Sequence, residues 1–301
     1  MLGKVGFWLS NPISMMYHVW SRLDKNGLFR RYSDLSRKAG LDRLYFVLSF
    51  DCDTVEDVGV VWRVHSRLLK MGVMPVYAVP GELLKKGADV YRRIAGTGSE
   101  FLNHGYMEHT GFDEMSGTYV STIFYDQLSP EQVRADIVQG DQALREVLGV
   151  RPLGFRTPHF GLFQKGRQLS FLYGVLRDLG YRFSSSTTPV HGFHRGAVFN
   201  CGGILEFPVS GMWTYPLSTL DSWSCFRAPG RRLTPNDYHR EGLAVARHLS
   251  RLRAVGIMNY YADPSHVADN ELFYETVAEW ARVGRNTTYG SLIQVLEHAK
   301  T

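Results

Sequence analysis

The chain has 301 residues, enough for one large α/β domain or two small ones, and 44% hydrophobic and 21% charged residues are typical of a globular protein. Its net charge of +5 and sequence pI near 9.0 are too mild an excess to indicate a nucleic acid partner, although they suit a phosphate-bearing or otherwise acidic substrate. No apolar run has the length needed to span a bilayer, so we expect no transmembrane segment.

Two features of the sequence bear on the compartment in which the protein works. The three cysteines, Cys52, Cys201 and Cys225, form no CxxC pair, which argues against a disulfide scaffold and favours a reducing compartment. The N-terminus lacks the long apolar core and the small-residue cleavage site of a signal peptide. We therefore expect a cytoplasmic protein, and the sequence does not indicate its oligomeric state.

Residues 1–40 are expected to form an extension, irregular or helical, that packs on the outside of a domain formed by residues 41–301. Apolar and basic residues are mixed in this extension, as where Val19 and Trp20 precede Arg22. The alternative is a helix that binds a partner or a membrane surface, so peripheral membrane contact, if it occurs, is expected through residues 1–40.

Short apolar strands alternate with helical patterns along residues 41–301. Strands are predicted near residues 44–48, 74–79, 100–103, 204–209 and 256–261. Residues 154–159 are predicted to be a strand end that runs into a loop, and residues 181–186 a strand followed by a turn. The clearest helix starts after Ser129, which can form a capping box with Gln132 and is followed by Pro130. Another helix is predicted to start at Thr234-Pro235. Residues 110–128 show no clear period and are predicted to be a loop near the substrate.

This alternation indicates parallel strands joined by helical crossovers, in either an open doubly wound sheet or a closed barrel. Active sites lie at the carboxyl ends of the strands in both architectures. Polar residues follow the predicted strands at these ends. They include Asp51, Asp53, His104, Arg156 and His266.

Asp51 and Asp53 come directly after the first predicted strand. Two residues apart on extended chain, they point to the same side. Two neighbouring carboxylates repel unless a cation lies beside them, so the pair indicates a metal ligand next to a general base. The simpler interpretation is that both aspartates cap a loop, since Asp is common at strand ends and turns.

His104 and His109 follow the third predicted strand, and two imidazoles with a carboxylate from another strand are a typical zinc ligand set. Hydrogen-bonded loop histidines are the alternative interpretation. Arg156 can anchor a carboxylate or orient the base, or it can form a surface ion pair. His266 can act as a general acid, or it can be a loop histidine before a helix.

These residues resemble the motifs of the polysaccharide deacetylase family, also called the NodB-homology or carbohydrate esterase family 4 group, over roughly residues 44–297. The first two motifs are similar to Ser49-Phe50-Asp51-Cys52-Asp53 and Asn103-His104-Gly105-Tyr106-Met107-Glu108-His109. In the second motif four residues separate the histidines where the family has three, so Glu108 is the alternative third ligand.

Three later segments also resemble family motifs. Gly154-Phe155-Arg156-Thr157-Pro158 is similar to the Arg-x-Pro motif, and residues 180–186 resemble a Ser-rich variant of the fourth motif. The strand and histidine of the fifth motif resemble residues 257–266. No aspartate that would support the catalytic histidine is evident in the fourth motif.

The resemblance implies an α/β fold, a distorted, incomplete (β/α) barrel of the NodB-homology type, and a catalytic domain over residues 41–301. By the same resemblance Asp51 is the catalytic base, Arg156 orients it and His266 is the general acid. The metal ligands are Asp53, His104 and His109, and the metal is Zn²⁺ or another divalent transition metal.

The implied reaction is metal-dependent hydrolysis of a linear C–N bond, which removes an acetyl or formyl group from an amino sugar. The expected substrate is an N-acylated sugar, as a cytoplasmic nucleotide-linked or lipid-linked intermediate of surface polysaccharide synthesis. Two alternatives remain. One is hydrolysis of a non-sugar amide, and the other is a catalytically inactive, carbohydrate-binding member of the fold.

Overall fold

The computed structural model describes residues 12–159, 161–227 and 237–299. The helices are α1 Pro12–Leu23, α2 Lys25–Lys38, α3 Val55–Lys70, α4 Gly81–Lys86, α5 Ala88–Ala95, α6 Pro130–Leu148, α7 Gly166–Asp178, α8 Pro189–Arg195, α9 Tyr238–Arg251, α10 Pro264–Val267, α11 Glu271–Val283 and α12 Tyr289–His298. The strands are β1 Leu44–Asp51, β2 Val76–Val79, β3 Phe101–Asn103, β4 Thr110–Asp113, β5 Thr118–Ser121, β6 Gly154–Phe155, β7 Phe183–Ser184, β8 Phe199–Cys201, β9 Ile204–Glu206, β10 Gly256–Ala262 and β11 Arg285–Asn286. The predicted helix start at Thr234-Pro235 lies outside the described residues.

The main sheet follows the path β10-β1-β2-β3-β6-β7-β9-β8, and β11 also pairs with β1. Its neighbouring strands are parallel, except β8 and β9, which are antiparallel. Parallel neighbours need crossover connections, and helices supply most of them. Within the described residues, β8 and β10 do not pair, so the curled sheet is an incomplete barrel. The amide of Ser210, after β9, donates to the Asn259 carbonyl of β10 and bridges part of the gap.

Strand β1 lies inside the sheet, and all eight of its residues are buried. This explains its continuous apolar run, because a strand covered on both faces has no side that must be polar. β10 pairs with β1 in parallel, with Leu44 opposite Gly256 and Phe50 opposite Ala262. The carboxyl ends of these two strands therefore meet at one edge, where Asp51 is the last residue of β1 and Asp263 follows β10.

Of the two forms predicted for the N-terminal extension, irregular or helical, the described residues adopt the helical one, as α1 and α2. The Tyr32 hydroxyl of α2 donates to the Ile257 carbonyl at 2.7 Å and accepts from the Ile257 amide at 3.0 Å. The Ser33 hydroxyl accepts from the Val255 amide at 2.8 Å. These contacts fasten α2 to the start of β10. Dividing the chain at residue 40 stays a proposal.

The prediction of a loop over residues 110–128 is wrong in part, because β4 and β5 form an antiparallel hairpin there. Thr110 lies opposite Ser121 and Asp113 lies opposite Thr118. Each strand has only four residues, and most of them are at least partly exposed, so no apolar alternation marks them. Gly117, at a φ of +63°, lies in the turn between the strands.

Candidate metal and catalytic site

The backbone around Asp53 is held by the first turn of α3. Thr54 and Asp57 form a reciprocal capping box, and Asp57 Oδ2 accepts from the amides of Asp53 and Thr54 at 3.0 and 2.9 Å. The other oxygen of Asp57 accepts from the Ser265 amide at 2.8 Å. One buried carboxylate therefore joins the loop after β1 to the helix that carries His266.

The loop between His104 and His109 is held by α6. Asp136 Oδ1 accepts from the amides of Tyr106 and Met107 at 3.0 and 2.8 Å, and Asp136 Oδ2 accepts from the Tyr125 hydroxyl at 2.5 Å. Gly105 has a φ of +79°, which favours glycine, and a Cβ there would lie 2.2 Å from Asp136 Oδ2. The chain can make this turn so close to α6 only with glycine at position 105.

Asp53, His104 and His109 converge at the end of the sheet. Asp53 Oδ1 lies 3.4 Å from His104 Nε2 and 3.1 Å from His109 Nε2, and the three ligand atoms lie within 4.8 Å of one another. The contact between His104 Nδ1 and the Arg156 carbonyl at 2.8 Å requires the proton on Nδ1, since a carbonyl only accepts. That leaves the lone pair on His104 Nε2, as in metal-binding histidines.

The donor set fits a divalent metal. Asp53 Oδ1 and both ring nitrogens of His109 are buried without a hydrogen-bond partner among the described residues, because the close contacts lack hydrogen-bond geometry. Unsatisfied buried polar atoms are costly and rare, and one carboxylate with two imidazoles is a ligand set that zinc uses. Burial would raise the pKa of Asp53, but the nearby imidazoles of His109 and His104 hold that pKa well below its usual range.

Glu108, the alternative third ligand, does not belong to this cluster. Its carboxylate forms an ion pair with Lys86, and its amide donates to Glu82 Oε2 at 2.7 Å. His109, one residue further along, is the side chain that the structure places beside Asp53. The extra residue in the loop therefore does not prevent the second histidine from reaching the site.

Asp51 forms a buried ion pair with Arg156. Arg156 Nη1 donates to Asp51 Oδ1 at 2.7 Å, and both side chains are almost fully enclosed. The alternative of a surface ion pair for Arg156 is therefore wrong. Burial alone would lower the pKa of Arg156, but the charge of Asp51 raises it above its ordinary value. The pair holds one oxygen of the predicted base in place.

Further polar groups surround the Arg156 guanidinium. Nη1 also donates to Ser49 Oγ at 2.7 Å, and Nη2 donates to the Tyr289 hydroxyl at 2.8 Å and to Ser185 Oγ at 3.2 Å. The Tyr289 hydroxyl donates in turn to Asn259 Oδ1 at 2.7 Å. The sequence analysis did not single out Tyr289 or Asn259.

His266 lies beside an aspartate that the sequence analysis did not find. His266 Nδ1 is 3.5 Å from Asp263 Oδ2 and 3.1 Å from Ser222 Oγ, and Ser222 Oγ also donates to Asp263 Oδ1 at 3.1 Å. Burial, followed by the charges of Asp57, Asp53 and Asp51, raises the pKa of Asp263 well above its usual value. The β10–β1 register sets Ala262 opposite Phe50, so Asp263 lies near the carboxyl end of β1. Asp263 could have been selected from the sequence, because it comes directly after the strand predicted at residues 256–261.

His159 is another residue that the sequence analysis did not select. Its ring lies edge-on to the His109 ring, with centroids 4.9 Å apart, and Nε2 is 3.1 Å from the His109 carbonyl. Burial, and then the charge of His109, lowers the pKa of His159 to about 4. A φ of +54°, unusual without glycine, turns the chain at this point. His159 thus forms one wall beside His109.

The structure thus has a curled, mostly parallel sheet with an Asp-His-His cluster at its carboxyl edge. Residues 40–183 match the family model described as polysaccharide deacetylase. The resemblance to this family is thereby confirmed. No curated protein matches the chain.

Three solved structures share the fold. A protein from Mycobacterium smegmatis, provisionally described as a polysaccharide deacetylase, is 18% identical with a TM-score of 0.59, over 87% of this chain and 91% of its own. A protein from Pseudomonas aeruginosa PAO1 with a similarly provisional description is 13% identical with a TM-score of 0.56, over 87% and 92%. The allantoinase Puue is 12% identical with a TM-score of 0.57, over 85% and 89%. The expected distorted, incomplete (β/α) barrel is confirmed.

Proposed function

We propose that the protein is a metal-dependent amide hydrolase that removes an acetyl or formyl group from an amino sugar. The observation that carries the proposal is the cluster of Asp53, His104 and His109, with its unsatisfied ligand atoms, next to the ion pair of Asp51 and Arg156. The family match over residues 40–183 supports the same class of reaction.

Asp53, His104 and His109 would hold Zn²⁺ or another divalent transition metal. Such an ion, when bound, polarises a carbonyl and lowers the pKa of a water molecule. Each ligand is positioned by a different neighbour: Asp53 by the capping box of α3, His104 by the Arg156 carbonyl and His109 by the loop that α6 fastens. These contacts restrict the positions of the three ligand side chains before a metal binds.

In the proposed reaction, Asp51 takes a proton from the water that attacks the amide carbon. Arg156 holds Oδ1 of Asp51, so Oδ2 is the oxygen that receives the proton. The new bond is C–O and the broken bond is C–N. His266 gives a proton to the leaving nitrogen from Nε2, while Ser222 and Asp263 contact its Nδ1. The products are acetate or formate and a free amine.

The N-acylated sugar is proposed as a nucleotide-linked or lipid-linked intermediate of surface polysaccharide synthesis, in the cytoplasm. The net charge of +5, which residues 1–40 carry, would attract a phosphate-bearing carrier to the protein as a whole. A second candidate is hydrolysis of a non-sugar amide, which the fold shared with an allantoinase favours. A screen that includes both sugar and non-sugar amides separates the two candidates.

Metal content tests the ligand set directly. Mass spectrometry of the purified wild type should find about one equivalent of a divalent metal. Asp53→Ala, His104→Ala and His109→Ala should each lose it, whereas Glu108→Ala, at the neighbouring position, should retain it. Loss from Glu108→Ala with retention in His109→Ala would reassign the third ligand, and a wild type that stays free of metal after incubation with zinc would overturn the proposal.

Release of acetate or formate tests the reaction. The metal-loaded protein should release one of them from at least one N-acylated sugar in a broad panel, while cleavage of non-sugar amides alone would favour the second candidate. Metal-loaded protein that cleaves no amide in the panel but binds carbohydrate would instead identify an inactive member of the fold.

A further inference from the structure

Helix α1 exposes an apolar face. Six of its seven exposed residues are apolar, and they are Pro12, Ile13, Met15, Met16, Val19 and Leu23. Five of them are among the fourteen large apolar side chains that are exposed in the described chain, at 44–82% exposure. Single exposed apolar residues are ordinary, but a concentration on one helix marks an interaction surface.

The apolar residues form one stripe on the helix. Met16, Val19 and Leu23 are spaced by three and four residues, so they lie on the same side. The buried residues Tyr17 and Ser21 lie on the opposite side, and the Tyr17 hydroxyl is 3.2 Å from His194 Nδ1 of α8. This contact holds the helix with its apolar stripe turned away from the protein.

The same part of the chain carries the positive charge. Residues 1–40 contain seven of the 34 Lys and Arg residues and two of the 29 Asp and Glu residues, so they hold the entire net charge of +5 and the remaining 261 residues are neutral. Five of these basic residues are exposed on α1 and α2, and they are Arg22, Arg30, Arg31, Arg37 and Lys38.

We propose that α1 and α2 dock this protein on an anionic lipid bilayer, with the apolar stripe of α1 in the headgroup boundary. An apolar helical stripe within a segment rich in exposed basic residues is typical of a segment that binds a membrane surface. Each basic residue near an anionic leaflet adds to binding. A second copy of the chain is a poorer occupant, because it would bring two segments of the same positive charge together. The inference does not depend on the reaction proposed above.

Sedimentation of the full chain with vesicles tests this surface. The wild type should bind vesicles of phosphatidylcholine and phosphatidylglycerol, bind far less to phosphatidylcholine alone, and dissociate as salt is added. The triple variant Met16→Ser, Val19→Ser, Leu23→Ser should bind at least about tenfold more weakly. The double variant Arg30→Gln, Arg31→Gln should weaken binding by about fivefold per residue.

A matched control removes three exposed apolar side chains elsewhere, in the triple variant Val138→Ser, Val150→Ser, Leu272→Ser. It should bind vesicles as the wild type does, and both triple variants should keep the wild-type thermal unfolding temperature because the replaced side chains are exposed. Absence of wild-type binding, or equal binding by both triple variants, would overturn the proposal. So would a dimer in sedimentation velocity that the α1 variant dissociates, with no vesicle binding, since the stripe would then join two copies.

Discussion

The paired charges of Asp51 and Arg156 are both buried, so each residue depends on the other. Asp51→Asn keeps an oxygen that can accept from Arg156 but removes the proposed base. We expect the rate of acyl release to fall by about 10²–10⁴-fold, the usual contribution of general acid–base catalysis, with the metal content unchanged. Stopped assays on metal-loaded protein measure the rate.

The same change leaves the buried guanidinium without its counter-charge, so the free energy of unfolding should fall by about 3–5 kcal/mol. Urea titration measures this loss and sets conditions in which the variant is folded for the assay. Asp269→Asn, which removes an exposed partner of Arg63, is the control and should change neither quantity. An unchanged rate in Asp51→Asn would favour a different base.

Glu100 is a half-buried residue whose carboxyl group should make stability depend on pH. Burial raises its pKa from 4.5 to about 7, and its Oε2 accepts from the Gly290 amide at 3.1 Å. The folded protein therefore keeps a proton that the unfolded chain releases between these two values. The free energy of unfolding should fall as pH rises through this window, by at most about 3 kcal/mol from this group.

Glu100→Gln should reduce this loss of stability, because glutamine does not titrate. Urea unfolding at several pH values across the window measures the slope in the variant and the wild type. Glu131→Gln, at an exposed position in the first turn of α6, should not reduce the fall. A slope for Glu100→Gln equal to that of the wild type would show that Glu100 keeps an ordinary pKa.

Individual site residues were predictable from the sequence when their signal was local. Asp51, Asp53 and His104 each follow an apolar strand, so position along the chain was enough to select them. Asp263 lies near the carboxyl end of β1 because β10 pairs with β1 in a register that sets Phe50 opposite Ala262. Tyr289 acts from the opposite end of the chain. Contacts of this kind depend on strand order, which a single sequence does not contain.

Among the helices and strands, the sequence predicted most accurately those whose first residues form capping hydrogen bonds. The capping box of Ser129 and Gln132 and the proline between them mark the start of α6 in the structure as in the prediction. The β4–β5 hairpin was missed because most of its residues are at least partly exposed, so its sequence does not alternate between apolar and polar residues. Helix starts are fixed by local hydrogen bonds, whereas a short exposed strand is fixed by its partner.

Gly140 lets α6 approach the loop that carries His104. A Cβ at this position would lie 2.3 Å from Asn103 Oδ1 and 2.6 Å from the Gly105 carbonyl oxygen. Gly140→Ala must push the loop away, so we expect a loss of about 1–3 kcal/mol in the free energy of unfolding and a lower metal content. Urea titration and mass spectrometry measure the two effects.

Gly174, in the middle of α7, is the matched control, because no atom lies within 4 Å of a Cβ built there. Gly174→Ala should stabilise the protein by about 0.5–1 kcal/mol, since alanine is the better helix former, and should leave the metal content unchanged. Equal stabilisation by both substitutions would contradict the close packing of α6 against the metal-binding loop.

At the scale of the whole molecule, the site is completed by parts of the chain that lie far apart. The family match ends at residue 183, yet Ser185, Asn259 and Tyr289 all contribute to the hydrogen bonds around Arg156 or its partner. The alternation of strands and helices left an open sheet and a barrel equally acceptable. The structure is an incomplete barrel, and the pairing of β10 with β1 brings a late part of the chain to the first motif.

Tyr289 links the last helix to the predicted base through Arg156. Tyr289→Phe would leave Asn259 Oδ1 without a donor and remove one acceptor from Arg156 Nη2, while Ser49 and Ser185 stay in place. A buried polar atom left unpaired costs about 1–3 kcal/mol, so the free energy of unfolding should fall by this amount. Because Arg156 positions Asp51, kcat should also fall, by roughly tenfold, with KM and metal content unchanged.

Tyr45→Phe separates this role from the general loss of a hydroxyl group. The Tyr45 hydroxyl donates to Asp42 at 2.6 Å, near the start of β1 and away from the catalytic edge, so its removal should leave kcat unchanged. Steady-state kinetics on both variants, each saturated with metal, give the comparison. Equal kcat values for the wild type and Tyr289→Phe would limit Tyr289 to stabilising the barrel. A fall in kcat confined to Tyr289→Phe would mean that the last helix of the chain holds the catalytic base in position.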